Sequence, residues 1–393
     1  MLNCLHPSKL DEGCLKMTVS QEHKSKFSGS ALFPWALSLV PALLIILFYL
    51  FRGHTSLMES VFRGFTVPAG NRLAQWTSPL PFSAGEALGL LLLLWAAFRT
   101  LRGLWLSIVR RKGLRPLIRG ILPVLLLSLW LWAALCWLWN IGYCMPGLAE
   151  TLHLDRGGVS GEELEQTARY FAGTLNACAG EIRRDDSGLF IHEAQDFFPE
   201  APAVYDLLEQ AFPALTLRDA MPKKLLLSRV QSHMGFSGFY SPFTGEANIN
   251  TDIPLSSQPF TIAHEMAHQR HVASEDEADF LGVAACLSSG RPVYIYSGAL
   301  AGLKMLAGPL AAQNPGTWQA IAATLRPEVA ADWNRSIDYW AQFKTPLEEW
   351  SRDAYDAFLK SQGEELGIRS YGACVDLLVN CYSAGILVNP YSE

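Results

Sequence analysis

Patterned cysteine, an excess of basic charge, and internal repeats are what this chain lacks, and each absence removes a class of protein. Eight cysteines are scattered over 393 residues, and the five from Cys144 onward are odd in number with no small-domain spacing, which excludes a disulfide-stapled scaffold. Cys374 and Cys381 sit on what reads as one helix, about 10 Å apart along its axis and too far apart to bridge, so buried free thiols are expected. Lysine and arginine total 31 against 37 aspartates and glutamates, a net charge of −6. That balance gives no reason to expect nucleic acid as a partner. No repeat or low-complexity segment interrupts residues 145–393, so solenoid architectures are excluded. The first apolar run is followed by no small-residue cleavage site, and it is expected to remain as a signal-anchor.

What the chain has in excess is apolarity. Half of its residues are hydrophobic and only 17% are charged, which is too apolar for an ordinary soluble protein of this size. Between Lys26 and Arg52 runs an uncharged stretch, FSGSALFPWALSLVPALLIILFYLF, long enough to cross a hydrocarbon core of about 30 Å. A shorter candidate, Pro81 to Phe98, carries Glu86 near one end and requires an interfacial place for that carboxylate. The third runs from Ile121 to Ile141. Three transmembrane α-helices are therefore expected, at about 31–51, 81–98 and 121–141, within a membrane region 31–144.

Orientation follows from the basic residues. Arg99, Arg102, Arg110, Arg111, Lys112, Arg115 and Arg119 follow the second span with no acid among them, which marks that loop as cytoplasmic. Lys9, Lys16, Lys24 and Lys26 place the tail 1–30 on the same side. An odd number of spans then carries residues 145–393 to the outer face of a bacterial cytoplasmic membrane.

The outer part opens with a capping box, Ser160 and Glu163, ahead of apolar residues at helical spacing. Between Lys223 and Pro254 apolar and polar residues alternate and are broken by glycine and proline, as in strands joined by turns. Beyond Pro292 the text reads as four or more helices. Strands followed by helices imply an α+β domain with a mostly helical C-terminal part.

The chemistry concentrates in TIAHEMAHQRHVASEDEADF, residues 261–280. Ser256 or Ser257 can cap a helix with Pro259 in its first turn. On that helix His264 and His268 lie one turn apart on one face, the spacing at which two imidazoles reach a single Zn²⁺. Glu265 beside them is placed to take a proton from a water that the metal activates. A third ligand cannot come from the same unbroken helix, because Glu275 would lie about 10 Å further along the axis. RHVAS supplies a break, and a capping box of Ser274 and Glu277 starts a second helix. Glu275, Asp276, Glu277 and Asp279 then compete for the third position, with His271 available if the turn bends early.

HEMAH followed by EDEAD resembles the gluzincins, in which a helix with H-E-x-x-H precedes a second helix with E-x-x-x-D. That resemblance implies a zincin-like metallopeptidase domain with Glu275 as third ligand, Asp279 orienting a ligand histidine, and zinc as cofactor. Here the interval from His268 to Glu275 is shorter than in most gluzincins, so the turn must be tight. The metzincin pattern is excluded, because its third histidine and its glycine fall on Ser274 and His271. The three spans together with HEMAHQR, EDEADF and a late SYG also resemble an uncharacterised bacterial family, domain of unknown function 3810. That likeness covers most of the chain and implies little about function.

GEANIN, just upstream, is placed to be an edge strand that holds an extended peptide. An oxyanion donor is sought in Tyr371 or Arg369, with Tyr240 and Tyr355 behind them. The expected function is a membrane-anchored zinc metallopeptidase acting on peptide or protein substrates at the lipid bilayer surface. The alternative is a zincin-like sensor or binding module without catalysis, against which the retention of Glu265 speaks.

Overall fold

The computed structural model describes residues 32–151, 158–186, 188–191, 197–217, 220–364 and 371–385. They form a mostly helical protein with one small mixed sheet. The N-terminal part is built from α1 (Leu32–Phe51), α2 (Thr55–Val61), α3 (Val67–Thr77), α4 (Ala84–Ile108) and α5 (Arg115–Leu138). Ser83 caps α4 by accepting from the Glu86 amide, and Pro116 opens α5, where a missing N–H costs nothing. Gly103 and Gly120 let α4 and α5 touch backbone to backbone: a Cβ at Gly120 would lie 2.6 Å from the Arg99 carbonyl oxygen. α1 packs on α5 through Phe48 and Trp137, whose indole donates to the Leu44 carbonyl at 3.0 Å.

Three helices are long and apolar enough to cross a membrane by length and composition: α4, α5 and Pro292–Gln313. The first two lie almost wholly unburied along their apolar windows, whereas 56% of the window in Pro292–Gln313 is buried inside the protein. The apolarity of that helix is spent on packing, not on lipid contact. In α1 the described apolar part is the shorter stretch Ser38–Phe51.

The body contains α6 (Gly161–Cys178), α7 (Ser228–His233), α8 (Gln258–Gln269), α9 (Glu275–Ser288), α10 (Pro292–Gln313), α11 (Pro315–Ala322), α12 (Pro327–Ala341), α13 (Pro346–Gln362) and α14 (Tyr371–Ser383). Proline stands in the first turn of each of α10 to α13, where its fixed φ favours initiation. At α6 the Ser160–Glu163 capping box forms as read from the sequence. One continuous core joins Phe171 and Leu175 of α6, Ile262 and Met266 of α8, Val283 of α9 and Leu303 of α10. Each such side chain contributes about 1.5–3 kcal/mol on burial.

The sheet order is β1 (Lys223–Lys224), β3 (Glu246–Ile249), β2 (Gly238–Ser241), with β1 parallel and β2 antiparallel to β3. GEANIN is therefore the central strand, and the edge expected there is supplied by β2. A second departure is α7, which forms where alternating strands are expected. Its Ser228 and Ser232 are buried and bonded within the turn region, while the residues between face outward.

The connector between α1 and α4 is sewn onto this body. Glu246 of β3 accepts from the Ala84 and Gly85 amides at 3.1 and 2.7 Å, so a strand carboxylate caps the first turn of α4. Glu86, for which the sequence requires an interfacial place, accepts from the Leu226 and Leu227 amides at 2.8 and 2.7 Å. Lys223 donates to the carbonyls of Ser78 and Leu80, both at 2.6 Å.

Candidate metal centre

The centre is made by α8, a tight turn and α9. Ser257 occupies the N-cap of α8 without a side-chain bond, and Pro259 sits in the first turn. The helix ends at Gln269, and His271 then takes a left-handed conformation, φ 68°, a strained position for a residue with a Cβ. This residue makes the reversal that the short His268–Glu275 interval demands. Its ring faces away from the site, within 3.0 Å of Asn71 Oδ1 on α3, so His271 is not a ligand. Burial lowers its pKa to about 4.

Ser274 takes the N-cap position of α9, but the expected capping box does not form. Glu277 instead accepts from the Leu148 amide, and Ser274 pairs with Glu364. α9 folds back onto α8 at Gly282, where a Cβ would lie 3.1 Å from the His264 amide nitrogen. That close approach returns the acidic face of α9 to the histidines.

His264, His268 and Glu275 converge so that one donor atom from each lies within 4.8 Å of the others. The two Nε2 atoms are 3.2 Å apart, and Glu275 oxygens lie 3.4 Å from His264 Nε2 and 3.5 Å from His268 Nε2. A tetrahedral ion with bonds of about 2.0–2.1 Å separates its ligand atoms by about 3.3 Å. The spacing of the three donors matches that requirement.

Each imidazole has an acceptor on its far side. His268 Nδ1 is 2.7 Å from the Val272 carbonyl, and His264 Nδ1 is 2.8 Å from Asp279 Oδ1. A proton held on each Nδ1 leaves each Nε2 lone pair directed inward. Tyr355 of α13 donates to Glu275 Oε1. Asp276 and Glu277, which also competed for the third position, lie outside the donor group, Asp276 on the cleft wall and Glu277 on Leu148.

Electrostatics favour positive charge between the ring nitrogens. Burial opposes it on His264, but Asp279, Glu275 and Glu265 outweigh burial and hold that imidazole well above its ordinary pKa. Burial likewise opposes charge on His268, where Glu275 prevails. Glu275 is disfavoured as an anion by burial, yet the two histidines hold its carboxyl well below the usual range. Three carboxylates thus surround two imidazoles, an excess of negative charge that favours a divalent cation.

Glu265 is buried beside the group, and its Oε2 has no hydrogen-bond partner among the described residues. Burial raises its pKa to about 7, with the histidines opposing. It fits there because β2 offers a glycine: a Cβ on Gly238 would lie 2.7 Å from both Cγ and Oε1 of Glu265.

The group lines a cleft of about 580 Å³. One wall is Gly238 to Tyr240 of the edge strand, a second is Glu348, Arg352 and Tyr355 of α13, and Trp139 closes a third. Trp139 follows α5 directly, and its ring packs edge-on against His268 with centroids 5.5 Å apart.

Of the four oxyanion candidates, Tyr355 and Tyr240 line the cleft. Arg369 and the Tyr371 side chain lie outside the described residues. The sequence reading missed Trp139, Gly238, Arg352 and the Val272 carbonyl. Gly238 alone carried a local signal, as a glycine within a strand pattern.

A family model described as a protein of unknown function, DUF3810, matches residues 63–379. The chain belongs to the DUF3810 family. The matched region covers α4 and α5 and the whole of the His264, His268 and Glu275 group. No curated protein and no solved structure matches the chain.

Proposed function

We propose that this DUF3810 member is a membrane-anchored, zinc-dependent metallopeptidase of gluzincin type. The observation that carries the reading is the spacing of His264 Nε2, His268 Nε2 and Glu275 at tetrahedral-edge distances, with both imidazoles backed on their far nitrogens. A zinc ion held by these three residues supplies Lewis acidity and lowers the pKa of water to about 7.

The chain's own groups supply the rest. Glu265, buried beside the ligands with one oxygen unpartnered among the described residues, accepts a proton from the attacking water and returns it to the departing amine. Gly238 keeps room for that carboxylate, and Asp279 and the Val272 carbonyl hold the imidazoles in the tautomer that ligates. The edge of β2 offers unpaired backbone groups to an extended peptide in the cleft. Burial keeps the Tyr240 phenol protonated, so it is a hydroxyl donor on the cleft wall, whereas the Tyr355 proton is given to Glu275 and helps hold that ligand.

In this reading α1, α4 and α5 cross a bacterial cytoplasmic membrane with residues 1–30 inside and the zincin-like domain 145–393 outside. Of the seven basic residues expected in the inner loop, Arg110, Arg111 and Lys112 lie in it and Arg99, Arg102, Arg115 and Arg119 on the adjoining turns of α4 and α5. Support comes from the connector: the start of α4 and the end of α5 both meet the site-bearing body, the end of α1 packs with the end of α5, and the loop 109–114 joins the opposite ends of α4 and α5. The test is cleavage of a peptide library by the detergent-solubilised full chain, with Glu265→Gln as control. Cleavage by wild type alone supports the reading. Equal cleavage by both, or by neither in zinc-loaded protein, contradicts it.

A further inference from the structure

We infer that the cleft opens at the bilayer surface itself, because the corner formed by α7 and the start of α4 is embedded in the lipid interface. This rests on the reading that α4 and α5 cross the membrane, and it narrows the substrate class to polypeptide segments held at the membrane.

Two parts of the cleft lining are tied to membrane-helix ends, one directly and one through Glu86. Trp139, against His268, is the residue after the last of α5. On the other wall, Gln231 and Met234 belong to α7 and its C-cap, and α7 follows directly on Leu226 and Leu227. The amides of those two leucines are held by Glu86, in the first turn of α4. Three residues of helix span about 5 Å, so Leu226 cannot lie far from the level at which α4 enters the hydrocarbon.

The side chains at this corner are of the kind that a water-facing surface avoids. Leu226 is 82% exposed, Val230 47% and Leu227 39%, and nearby Trp76 and Phe82 are 74% and 44% exposed. Phe82 stands two residues before α4, and Trp76 closes α3 beside Ser78, whose hydroxyl accepts from the Met221 amide. Aromatic residues at the mouth of a span and leucines pinned to its first turn are what an interfacial contact requires. The occupant of this surface is lipid, because Glu86 pins the leucines to the first turn of α4, and that helix leaves Leu90, Leu91, Leu93 and Leu94 exposed along its apolar length.

On the outward face of α7 the exposed Leu227 and Val230 each lie one turn before a cleft residue, Gln231 and Met234, so the apolar patch runs up to the rim of the cleft. A chain anchored in the same bilayer reaches the metal group from its first residues outside the membrane. A freely diffusing peptide gains nothing from this placement.

The test uses the full chain in phosphatidylcholine and phosphatidylglycerol proteoliposomes, part of the lipid brominated near the headgroup end of one acyl chain. Leu226→Cys is labelled with an environment-sensitive fluorophore beside Glu162→Cys on α6, which packs on α10, α11 and α14, with identically treated wild type as background. Blue-shifted emission quenched by bromolipid at position 226 alone is the expected result. A label there that reports water and escapes quenching overturns the inference. In a second arm, Leu226→Glu with Leu227→Glu lowers kcat/KM several-fold for a lipid-anchored peptide and leaves the same peptide in solution unaffected. Equal loss on both substrates overturns the substrate class. A quenched label in a protein that cleaves neither peptide leaves the membrane contact standing and removes the peptidase reading.

Discussion

The Nδ1 atom of His268 lies 2.7 Å from the carbonyl oxygen of Val272, four residues further along the chain. That carbonyl is in place only because His271, between them, turns left-handed. A helix break and the orientation of a metal-facing imidazole are therefore one feature, and the short interval before Glu275 is what produces both.

Removing the Asp279 carboxylate tests the equivalent support on the other histidine. Asp279→Asn leaves all three ligands in place and weakens zinc binding by about 10–100-fold, the usual cost of losing a carboxylate behind a ligating imidazole. Competition with a calibrated chelator measures it, and unchanged affinity contradicts the role given to Asp279.

Glu265→Gln retains zinc and loses about 10²–10⁴-fold in kcat if the carboxylate moves a proton. Metal content and turnover measured on one preparation separate this from loss of the site.

Gly238→Ala places a methyl group 2.7 Å from the Glu265 carboxylate and 2.8 Å from the Asn248 carbonyl oxygen. Overpacking of this kind costs about 1–3 kcal/mol of stability. The expected variant binds zinc, melts lower and turns over slowly, and wild-type kcat contradicts the placement of Glu265 against β2.

His271 makes stability sensitive to acid. Its folded pKa of about 4 lies below the ordinary imidazole value, so between those values the unfolded chain binds more protons and stability falls as pH drops. The full effect is about 3 to 3.5 kcal/mol, developed as pH falls from about 6.5 toward 4. The ring meets Gly70, Asn71 and Phe62 of the connector, none of which titrates. Denaturant midpoints of wild type and His271→Asn converge as pH is lowered if this holds, and parallel pH profiles contradict it.

Much of this was legible in the residues. The spacing of His264 and His268, the helix break and the second helix follow from local signals, although the capping box read at Ser274 does not form, and α4 and α5 follow from their long apolar runs. Among four acids at the start of α9, geometry selects Glu275 because the left-handed turn at His271 fixes the phase of the second helix, and no local signal announces that turn. β2 rather than GEANIN became the edge because β1, only two residues long, pairs with β3 from far upstream. Trp139 was hidden for the same reason, and Glu86, marked in the sequence as needing an interfacial place, gave no sign that its partners would be the Leu226 and Leu227 amides. Sequence spacing reports contacts within a turn or two, and these are made across the molecule.

The most direct test of the account is the zinc content of the purified full-length chain, beside His264→Ala and Glu275→Ala. One equivalent in wild type, lost in both variants while they retain helical content and a cooperative melt, is the predicted result. A folded wild type that takes up no zinc when the ion is offered, or a Glu275→Ala variant that holds it as tightly, contradicts the proposed centre.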